Sequence, residues 1–435
     1  MGWSVRRGFE QNCPPHCCAA GWIALQVGVL FLSTSAMLAG IAMLLAITLW
    51  RPQRQPRPFS SRESRWLTVL ALWMVLGAGI SGIAGAKAWL GLFNWLPFFW
   101  FFLAVRPYLS TTAARSRLAF WFCASTVPVV LVSWLQHHFG WSSELSGLGG
   151  LIRWPMAEPL SGTALFENSN VTGAWLALVM PFVALRALER QQPSLQRAIA
   201  WGLALGSVAT LVLSASRNAM ATMLVSWPTS GGRRLQWGVA GAAMAYGLLV
   251  LGRLQGWLPE ALDVLVPAAL VKKLVMLDEG IRPLHGRREH IYAMAWQWIA
   301  QHPVWGVGAQ GFGDLYHRHV QAALGPDTQL VITHSHSLLL EFAVSHGIPA
   351  LLLLVGVIGS TMTRCGIACW RGTLQRADQS WWIAGLLITW LHIWDVPFFD
   401  SRLNIAGWLV FAAISAMGRP EFSPAVQPAD NAADR

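Results

Sequence analysis

Long apolar runs separated by short polar connections are the feature that most constrains what this chain can fold into. A transmembrane helix needs about 20 predominantly apolar residues. Only 12% of the residues are charged, against roughly 25% in soluble proteins. The sequence therefore predicts an all-α polytopic membrane protein. The apolar runs cover residues 22–50, 66–86, 88–106, 118–137, 171–188, 198–215, 217–227, 235–252, 335–360, 381–397 and 403–418.

Arginines in the connections predict which side of the membrane each connection occupies. Short loops rich in Lys and Arg lie in the cytoplasm, which leaves residues 138–170, 253–334 and 398–402 on the opposite side. The arginines that mark cytoplasmic loops are Arg51, Arg54, Arg57, Arg62 and Arg65, then Arg115 and Arg117, then Arg186, Arg190 and Arg197, then Arg233 and Arg234, and finally Arg364, Arg371 and Arg376.

The first apolar run conflicts with this orientation unless it is broken. Arg6 and Arg7 indicate a cytoplasmic N-terminus, whereas a single helix over 22–50 would place that terminus outside. The polar triplet Ser33-Thr34-Ser35 in the middle of the run favours a break between two short, tilted helices. With that break, the chain has about 12 spans and both termini are cytoplasmic.

Five regions follow from this reading of the chain. They are a cytoplasmic N-terminus (1–21), N-terminal transmembrane helices (22–252), a large periplasmic helical loop (253–334), C-terminal transmembrane helices (335–418) and a disordered cytoplasmic tail (419–435). The net charge of +11 is scattered over the loops rather than gathered on one face, so membrane lipids are expected as partners and nucleic acid is not. Cysteines 13, 17 and 18 lack the spacing of a zinc site.

The segment 253–334 is too long for a connection without secondary structure or function of its own. Pro259 to Met276 reads as an amphipathic helix along the membrane surface, and Gly286 to Gln301 reads as a second helix that Pro303 ends. The glycines that follow predict a turn-rich stretch, and GVGAQGFG follows a helix rather than a strand, which excludes a dinucleotide site. The predicted packing face of the second helix contains Arg288, Ile291, Tyr292, Ala295 and Ile299, and the glycines are Gly306, Gly308, Gly311 and Gly313.

Two histidines open the apolar run that follows this loop, in the segment THSHSLLLEFAVSHGIPA (333–350). Ionisable groups at the end of a membrane helix are costly unless they face a polar cavity or a ligand. Imidazole is also the side chain best suited to proton transfer near neutral pH. His334 and His336 are therefore candidates for a catalytic base.

Arginines in two separate segments predict a site for an anionic, phosphorylated ligand at the outer leaflet. Arg217 lies in the polar stretch SASRN between two apolar runs, and Arg287 and Arg288 open the second loop helix. Guanidinium groups grip phosphate oxygens in a bidentate manner. The alternatives are that Arg217 snorkels to the headgroups and that Arg287 or Arg288 pairs with Glu289. Because the chain has no Asp-x-Asp pair, the site is expected to need no metal and no other cofactor.

Four patches resemble the O-antigen ligase family, whose core is shared with O-antigen polymerases and protein O-oligosaccharyltransferases. They are FENSNVTGAWLALVMPF, LSASRNAMATML, GRREHIYAMAWQWIAQHPVWGVGAQGF and the histidine segment. The family signature is His followed by Asn, Ser or Gln, then nine residues, Gly, and usually a second Gly three residues further on. His336, Ser337 and Gly347 fit this signature, whereas His334 does not, and Ala350 replaces the last glycine.

The resemblance implies a GT-C-like fold in the cell inner membrane and a metal-independent, inverting transfer of O-antigen from undecaprenyl diphosphate to lipid A–core oligosaccharide at the periplasmic face. His336 would be the base, and Arg217 and Arg288 would hold the diphosphate. The remaining substrate contacts would come from Arg287, Asn170, Ser337 and His334. The alternatives are a polymerase, a protein O-oligosaccharyltransferase or, in a different class, a transporter of lipid-linked glycans.

Overall fold

The computed structural model describes most of the chain between residues 18 and 417. The described residues are 18–49, 61–81, 83–141, 145–147, 152–154, 162–166, 168–189, 191–226, 233–259, 262, 265–278 and 284–417. The sequence-based predictions for most of the N-terminus, including Cys13 and Cys17, and for the tail 419–435 lie outside these residues.

Helices make up nearly all of the described structure. The α-helices are α1 (Ala19–Phe31), α2 (Ala36–Thr48), α3 (Arg62–Ile80), α4 (Ala86–Gly91), α5 (Leu96–Val105), α6 (Thr112–Phe139), α7 (Ser169–Leu188), α8 (Ser194–Ser214), α9 (Arg217–Ser226), α10 (Arg233–Leu254), α11 (Ala268–Asp278), α12 (Arg288–Gln301), α13 (Gly311–Leu324), α14 (Leu338–Trp370), α15 (Arg376–Trp394) and α16 (Ser401–Ala416). Short 3-10 helices cover Leu92–Asn94, Arg106–Leu109, Leu284–Gly286 and Pro397–Phe399.

A small β-hairpin is the departure from the all-α prediction. Strand β1 (Leu145–Gly147) pairs antiparallel with β2 (Ile152–Trp154), with Ser146 opposite Arg153. It lies in the connection between α6 and α7, one of the segments predicted to be outside the cytoplasm.

Five segments within the described residues are long and apolar enough to cross a bilayer, which is the pattern of a multi-pass membrane protein. They are Ala86–Leu109, Thr112–Phe139, Ser169–Leu188, Ser194–Ser214 and Leu338–Trp370. Shorter apolar helices cover Ala19–Phe31, Ala36–Thr48, Ala240–Leu254 and Ser401–Ala416. The total of about 12 spans stays a prediction, as does the periplasmic location of the loop.

The predicted break in the first apolar run is confirmed. Helices α1 and α2 pack against each other as a hairpin, and the polar triplet forms the turn between them. The Ser35 hydroxyl caps α2 by accepting a hydrogen bond from the Leu38 backbone N–H at 3.1 Å, and the Thr34 hydroxyl donates to the Phe31 carbonyl at 3.1 Å. These hydroxyls satisfy backbone groups that the helix ends leave unpaired.

Helices α7 and α16 lie at the centre of the helix assembly. Every residue of α16 from Arg402 to Ala416 is buried, and α7 packs against α6, α8 and α15. Large aromatic rings fill the space between these helices, among them Trp175, Phe182 and Trp381. A continuous apolar core therefore holds α7, α9 and α15 in place. Residues at the ends of these helices form the candidate site described below.

A buried ion pair joins α6 to α15. The Arg115 Nε and Nη2 atoms donate to the two carboxylate oxygens of Asp378 at 2.7 and 2.8 Å, and the arginine side chain is only 5% exposed. Arg115 thus has a packing role in the first turn of α6, in addition to any part that its charge has in orienting the chain.

Of the two helices predicted in the segment 253–334, the first begins later than predicted and the second agrees closely. Helix α11 begins at Ala268 rather than Pro259, because Pro267 precedes it and proline favours the start of a helix. Its Ala269 and Leu270 side chains pack in a cluster with Ala215. Helix α12 is confirmed within two residues, and its predicted face is buried at Ile291, Ala295 and Ile299.

Helix α13 is absent from the sequence-based prediction, which extended the turn-rich stretch to Gly313. The turn residues are Gly306 and Gly308, both with positive φ, whereas α13 begins at Gly311. A Cβ on Gly313 would meet the Thr333 backbone, so this glycine permits close packing rather than a turn. Helices α12 and α13 share a second apolar core with the start of α14.

Candidate active site

The segment before α14 holds His336 in an unusual backbone conformation. The φ angle of His336 is 54°, in the left-handed region that few residues other than glycine adopt. Its neighbours fix this turn: the Ser335 N–H donates to the Glu341 carboxylate at 2.8 Å, and the Ser335 hydroxyl donates to the Ser337 carbonyl at 3.0 Å. These two hydrogen bonds hold the turn from which the His336 side chain projects.

Asp395 lies beside the His336 ring. The distance from His336 Nδ1 to the Asp395 carboxylate is 3.5 Å, and the two side chains are 30% and 15% exposed. Asp395 follows the last residue of α15, and its carboxylate also accepts a hydrogen bond from the Val396 N–H at 2.9 Å. A carboxylate at Nδ1 favours the tautomer that carries a proton there, which leaves Nε2 free to accept one.

His334 packs against the same ring. The centroids of His334 and His336 are 4.4 Å apart in an edge-on arrangement, and His334 stacks on Phe399 at 5.5 Å. Burial, reinforced by the neighbouring His336, lowers the pKa of His334 to about 4. His334 is thus a neutral side chain at pH 7.

Helix α12 brings Arg288 and Tyr292 to this cluster. The Arg288 guanidinium donates to the Trp394 carbonyl at 2.8 Å, next to Asp395 in the chain, and the Tyr292 hydroxyl donates to the His336 carbonyl at 3.3 Å. The two residues share a helix face because they are four apart. Burial raises the pKa of Tyr292, so its hydroxyl stays protonated and can donate.

Arg217 belongs to a second polar cluster, at the junction of α8 and α9. Ala215 has a left-handed φ of 51° and ends α8, so α9 starts at Arg217. The Arg217 guanidinium donates to the Lys273 carbonyl at 3.3 Å. The Lys273 ammonium in turn donates to the Ser169 hydroxyl at 3.0 Å, at the first residue of α7.

Asn170 follows Ser169 and therefore lies at the edge of this second cluster. Its backbone N–H donates to the Asn168 side chain at 2.7 Å, which caps α7. The N-terminus of α7 and two cations, Lys273 and Arg217, thus meet here, and each of these features favours an anion.

The last turn of α15 connects the two clusters. The Asn218 amide donates to the Leu391 carbonyl at 3.3 Å, and Arg288 donates to Trp394, three residues further along the same helix. Three residues correspond to about 4.5 Å along a helix axis. The structure therefore brings the segments of Arg217, Arg288 and His336 to one end of α15.

The other two predicted residues are placed differently. Arg287 immediately precedes α12 and makes no side-chain capping hydrogen bond. It pairs loosely with Glu289 at 3.9 Å, with 40% of its side chain exposed, which is the alternative that the sequence left open. Ser337 is buried at the N-terminal end of α14, where its carbonyl accepts from Glu341 N–H at 2.8 Å.

The signature glycine Gly347 forms a kink within α14. Its φ is 83°, and a Cβ there would collide with the Val304 carbonyl. Backbone hydrogen bonds join the two segments around this contact: Ile348 N–H donates to the Pro303 carbonyl at 2.8 Å, and Val307 N–H donates to the Val344 carbonyl at 2.8 Å. The signature glycine therefore ties the α12–α13 connection to the helix that follows His336.

Asp395 and Lys273 are members of the site that sequence reasoning missed. Asp395 is an acidic residue inside the apolar run 381–397, and an ionisable residue in such a run is a functional candidate by default. Lys273 is one of three lysines in the chain, but nothing in the sequence relates it to Arg217, since their contact depends on how α11 packs.

The His336 cluster contains the kinds of donor atom that bind a metal ion. One ligand atom from each of His334, His336 and Asp395 lies within 4.8 Å of the others. The same groups also contact one another without an ion: Asp395 lies 3.5 Å from Nδ1 of His336, and the His336 backbone N–H donates to Nδ1 of His334 at 3.3 Å.

Comparison with known families places part of the chain in a described family. Residues 160–355 match the sequence model of a family described as O-Antigen ligase. This range contains Asn170, Arg217, Arg288 and His336, but not Asp395. No curated protein sequence matches the chain.

Proposed function

The chain belongs to the O-antigen ligase family through residues 160–355, and we propose that it transfers O-antigen polysaccharide from undecaprenyl diphosphate to lipid A–core oligosaccharide. Glycosyl transfer of the ligase or polymerase type is the chemistry of this family. In the proposal the reaction takes place at the periplasmic face of the inner membrane and completes lipopolysaccharide.

The observation that carries the proposal is the His336–Asp395 pair at the end of α15. In the proposed reaction an acceptor hydroxyl lies at Nε2 of His336. Its oxygen attacks the anomeric carbon of the donor sugar while its proton passes to Nε2. Asp395 holds the proton at Nδ1 and stabilises the imidazolium that forms. The 3.5 Å separation is long for a charge-assisted hydrogen bond and is expected to shorten as that charge develops.

The bond that breaks joins the anomeric carbon to the diphosphate oxygen, and undecaprenyl diphosphate leaves with the electron pair. Arg217 and Arg288 are proposed to hold the departing diphosphate, with Arg287 and Lys273 adding positive charge. These cations neutralise the negative charge that develops on the leaving diphosphate, which a divalent metal does in other glycosyl transfer sites. Direct displacement inverts the anomeric configuration.

Three further residues are proposed to orient the substrates. Asn170 lies beside the cationic junction of Ser169 and Lys273, where an amide can bond to phosphate or sugar oxygens. Ser337 and His334 flank the proposed base. Burial lowers the pKa of His334 to about 4, so His334 does not take the proton in place of His336.

Deletion of the gene in its host tests the proposal most directly. A ligase predicts loss of the O-antigen ladder on a lipopolysaccharide gel, with accumulation of full-length lipid-linked O-antigen. A ladder that collapses to a single repeat would instead assign a polymerase.

Reconstitution of the purified protein separates the remaining alternatives. Proteoliposomes that contain donor and lipid A–core should form the joined product. Donor movement across the bilayer without any product would assign a transporter, and product that forms only with a protein acceptor would assign a protein O-oligosaccharyltransferase.

A further inference from the structure

A cluster of three histidines lies in the α12–α13 region, apart from the His336 site. His285 lies in the 3-10 helix Leu284–Gly286, His290 in the first turn of α12 and His319 in α13. Their ring centroids are 4.8, 5.5 and 5.7 Å apart. One ring nitrogen from each lies within 4.8 Å of the other two.

Two of these rings have buried nitrogens without a hydrogen-bond partner. They are the Nε2 atoms of His290 and His319. Leaving a polar atom buried and unpaired costs free energy, and most such atoms in folded proteins are satisfied by a neighbour, water or an ion.

The surrounding packing holds the three rings in place. The Tyr316 hydroxyl donates to the His285 carbonyl at 2.6 Å, and the Tyr316 ring lies 6.2 Å from the rings of both His290 and His319. Tyr316 itself is fully buried in the second core. The cluster is thus supported by a rigid aromatic side chain rather than by a flexible loop alone.

We propose that His285, His290 and His319 bind one divalent transition-metal ion, of which Zn²⁺ fits best. Zinc takes imidazole nitrogens at about 2.0–2.1 Å in a tetrahedral arrangement, so the three nitrogens would lie roughly 3.4 Å apart. Side-chain rotations close the difference from the present spacing. Water supplies the fourth ligand, and Cu²⁺ or Ni²⁺ compete because imidazole binds them well.

The ion would have a structural role that is separate from the transfer chemistry. On α12, Tyr292 contacts the His336 segment, whereas His290 lies two residues, or about 200° of helix rotation, away and faces α13. An ion at the triad joins the turn before α12 to α13. The proposed diphosphate-binding residues Arg287 and Arg288 lie between two of its ligands in the chain, so the ion fixes the start of the helix that carries them.

Metal binding by purified protein without a polyhistidine tag tests the site. The protein in detergent is stripped with EDTA, dialysed and titrated with Zn²⁺ alone, and bound metal is counted by elemental analysis. One ion per chain is expected, together with a higher unfolding temperature. Co²⁺ in place of Zn²⁺ should give the visible absorption of a tetrahedral nitrogen-ligated site.

Variants assign the ion to the triad. His290→Ala and His319→Ala should each weaken Zn²⁺ binding by more than about tenfold, the lower end of the loss caused by removing even an outer-shell partner of a metal ligand. His317→Ala, on the same helix as His319, and His336→Ala should keep the ion. Size-exclusion profiles identify a variant that has misfolded, in which case His285→Ala and the Co²⁺ spectrum decide the matter.

Two results would overturn this inference. One is that the stripped wild-type protein binds no Zn²⁺. The other is that His336→Ala or Asp395→Ala releases the ion while the triad variants retain it, which would place the metal at the transfer site. Neither result bears on whether the chain is a ligase, since transfer activity is measured separately.

Discussion

At the scale of single residues, His336 combines a left-handed backbone with a partly buried carboxylate neighbour. Backbone strain of this kind costs about 1–3 kcal/mol and persists only where surrounding contacts impose it. Here the contacts are the Ser335–Glu341 hydrogen bond and the Tyr292 hydroxyl. They hold the imidazole in one orientation before any substrate binds.

His336→Ala should therefore abolish transfer, with a loss of about 10²–10⁴-fold, while the protein still inserts and still binds donor. His334→Ala should be milder, because His334 packs against the base but is itself neutral. Product formation and donor binding are measured in the same proteoliposomes. If His336→Ala were active and His334→Ala inactive, the wrong histidine would have been chosen as the base. The control is His138→Ala, which removes an exposed histidine at the end of α6.

Asp395→Asn should lower turnover by about ten- to a hundredfold, because a hydrogen bond to a charged group contributes about 1.5–3 kcal/mol. The amide keeps the shape of the side chain but stabilises the imidazolium less. Turnover and donor KM are compared with those of Asp314→Asn, a half-exposed carboxylate that pairs with Lys87. Equal turnover in the two variants would remove Asp395 from the mechanism.

At the scale of elements, the kink in α14 determines how α12 and α13 meet the His336 segment. The Pro303–Gly308 connection runs beside the kink, and its backbone hydrogen bonds replace part of the regular helix pattern there. This arrangement tolerates no side chain at Gly347, since the neighbouring carbonyl occupies the space of a Cβ.

Gly347→Ala should consequently destabilise the protein by more than about 1 kcal/mol, since alanine suits neither the positive φ nor the available space. Gly359→Ala in the same helix is the matched control, because no atom lies within 4 Å of its added Cβ. That change should be neutral or slightly stabilising, as alanine is the better helix former. Thermal unfolding in detergent compares the two, and similar midpoints would contradict the role given to the kink.

At the scale of the whole molecule, the cations converge on the end of α15 from elements far apart in the chain. Arg217→Lys and Arg288→Lys should each impair use of limiting donor, with a loss of about 2–3 kcal/mol in transition-state stabilisation, because ammonium lacks the bidentate fork of guanidinium. The ratio kcat/KM for donor is the measurement. Arg253→Lys, near the end of α10, provides a comparison at an arginine with no proposed role in the site, and wild-type efficiency in both site variants would exclude the diphosphate role.

Transfer should also continue in excess EDTA, at temperatures well below unfolding, because the arginines supply the charge neutralisation. A loss of activity restored by one added cation would overturn this expectation. The readout differs from that for the histidine triad, where removal of metal is expected to change the unfolding temperature.

The sequence predicted those parts of the fold that depend on local pattern. Ser33–Ser35 marked the break in the first apolar run, and the spacing of Ile291, Ala295 and Ile299 marked the buried face of α12. The sequence did not reveal α13, because a glycine that permits close packing looks the same as a glycine in a turn. It also did not pair His336 with Asp395, since 59 residues separate them and only the packing of α14 near α15 brings them together.

The backbone hydrogen bonds between Pro303–Gly308 and Val344–Ile348 also limit which segments can be exchanged between this chain and a relative. We expect two stretches that look like independent motifs to vary together, because Gly306 and Gly347 each leave room for the other segment's carbonyls. If recombination between relatives exchanged the region before Thr333 without the start of α14, the two segments would no longer fit each other. Chimaeras that carry both stretches from the same parent should insert and fold, whereas those that divide them should be degraded.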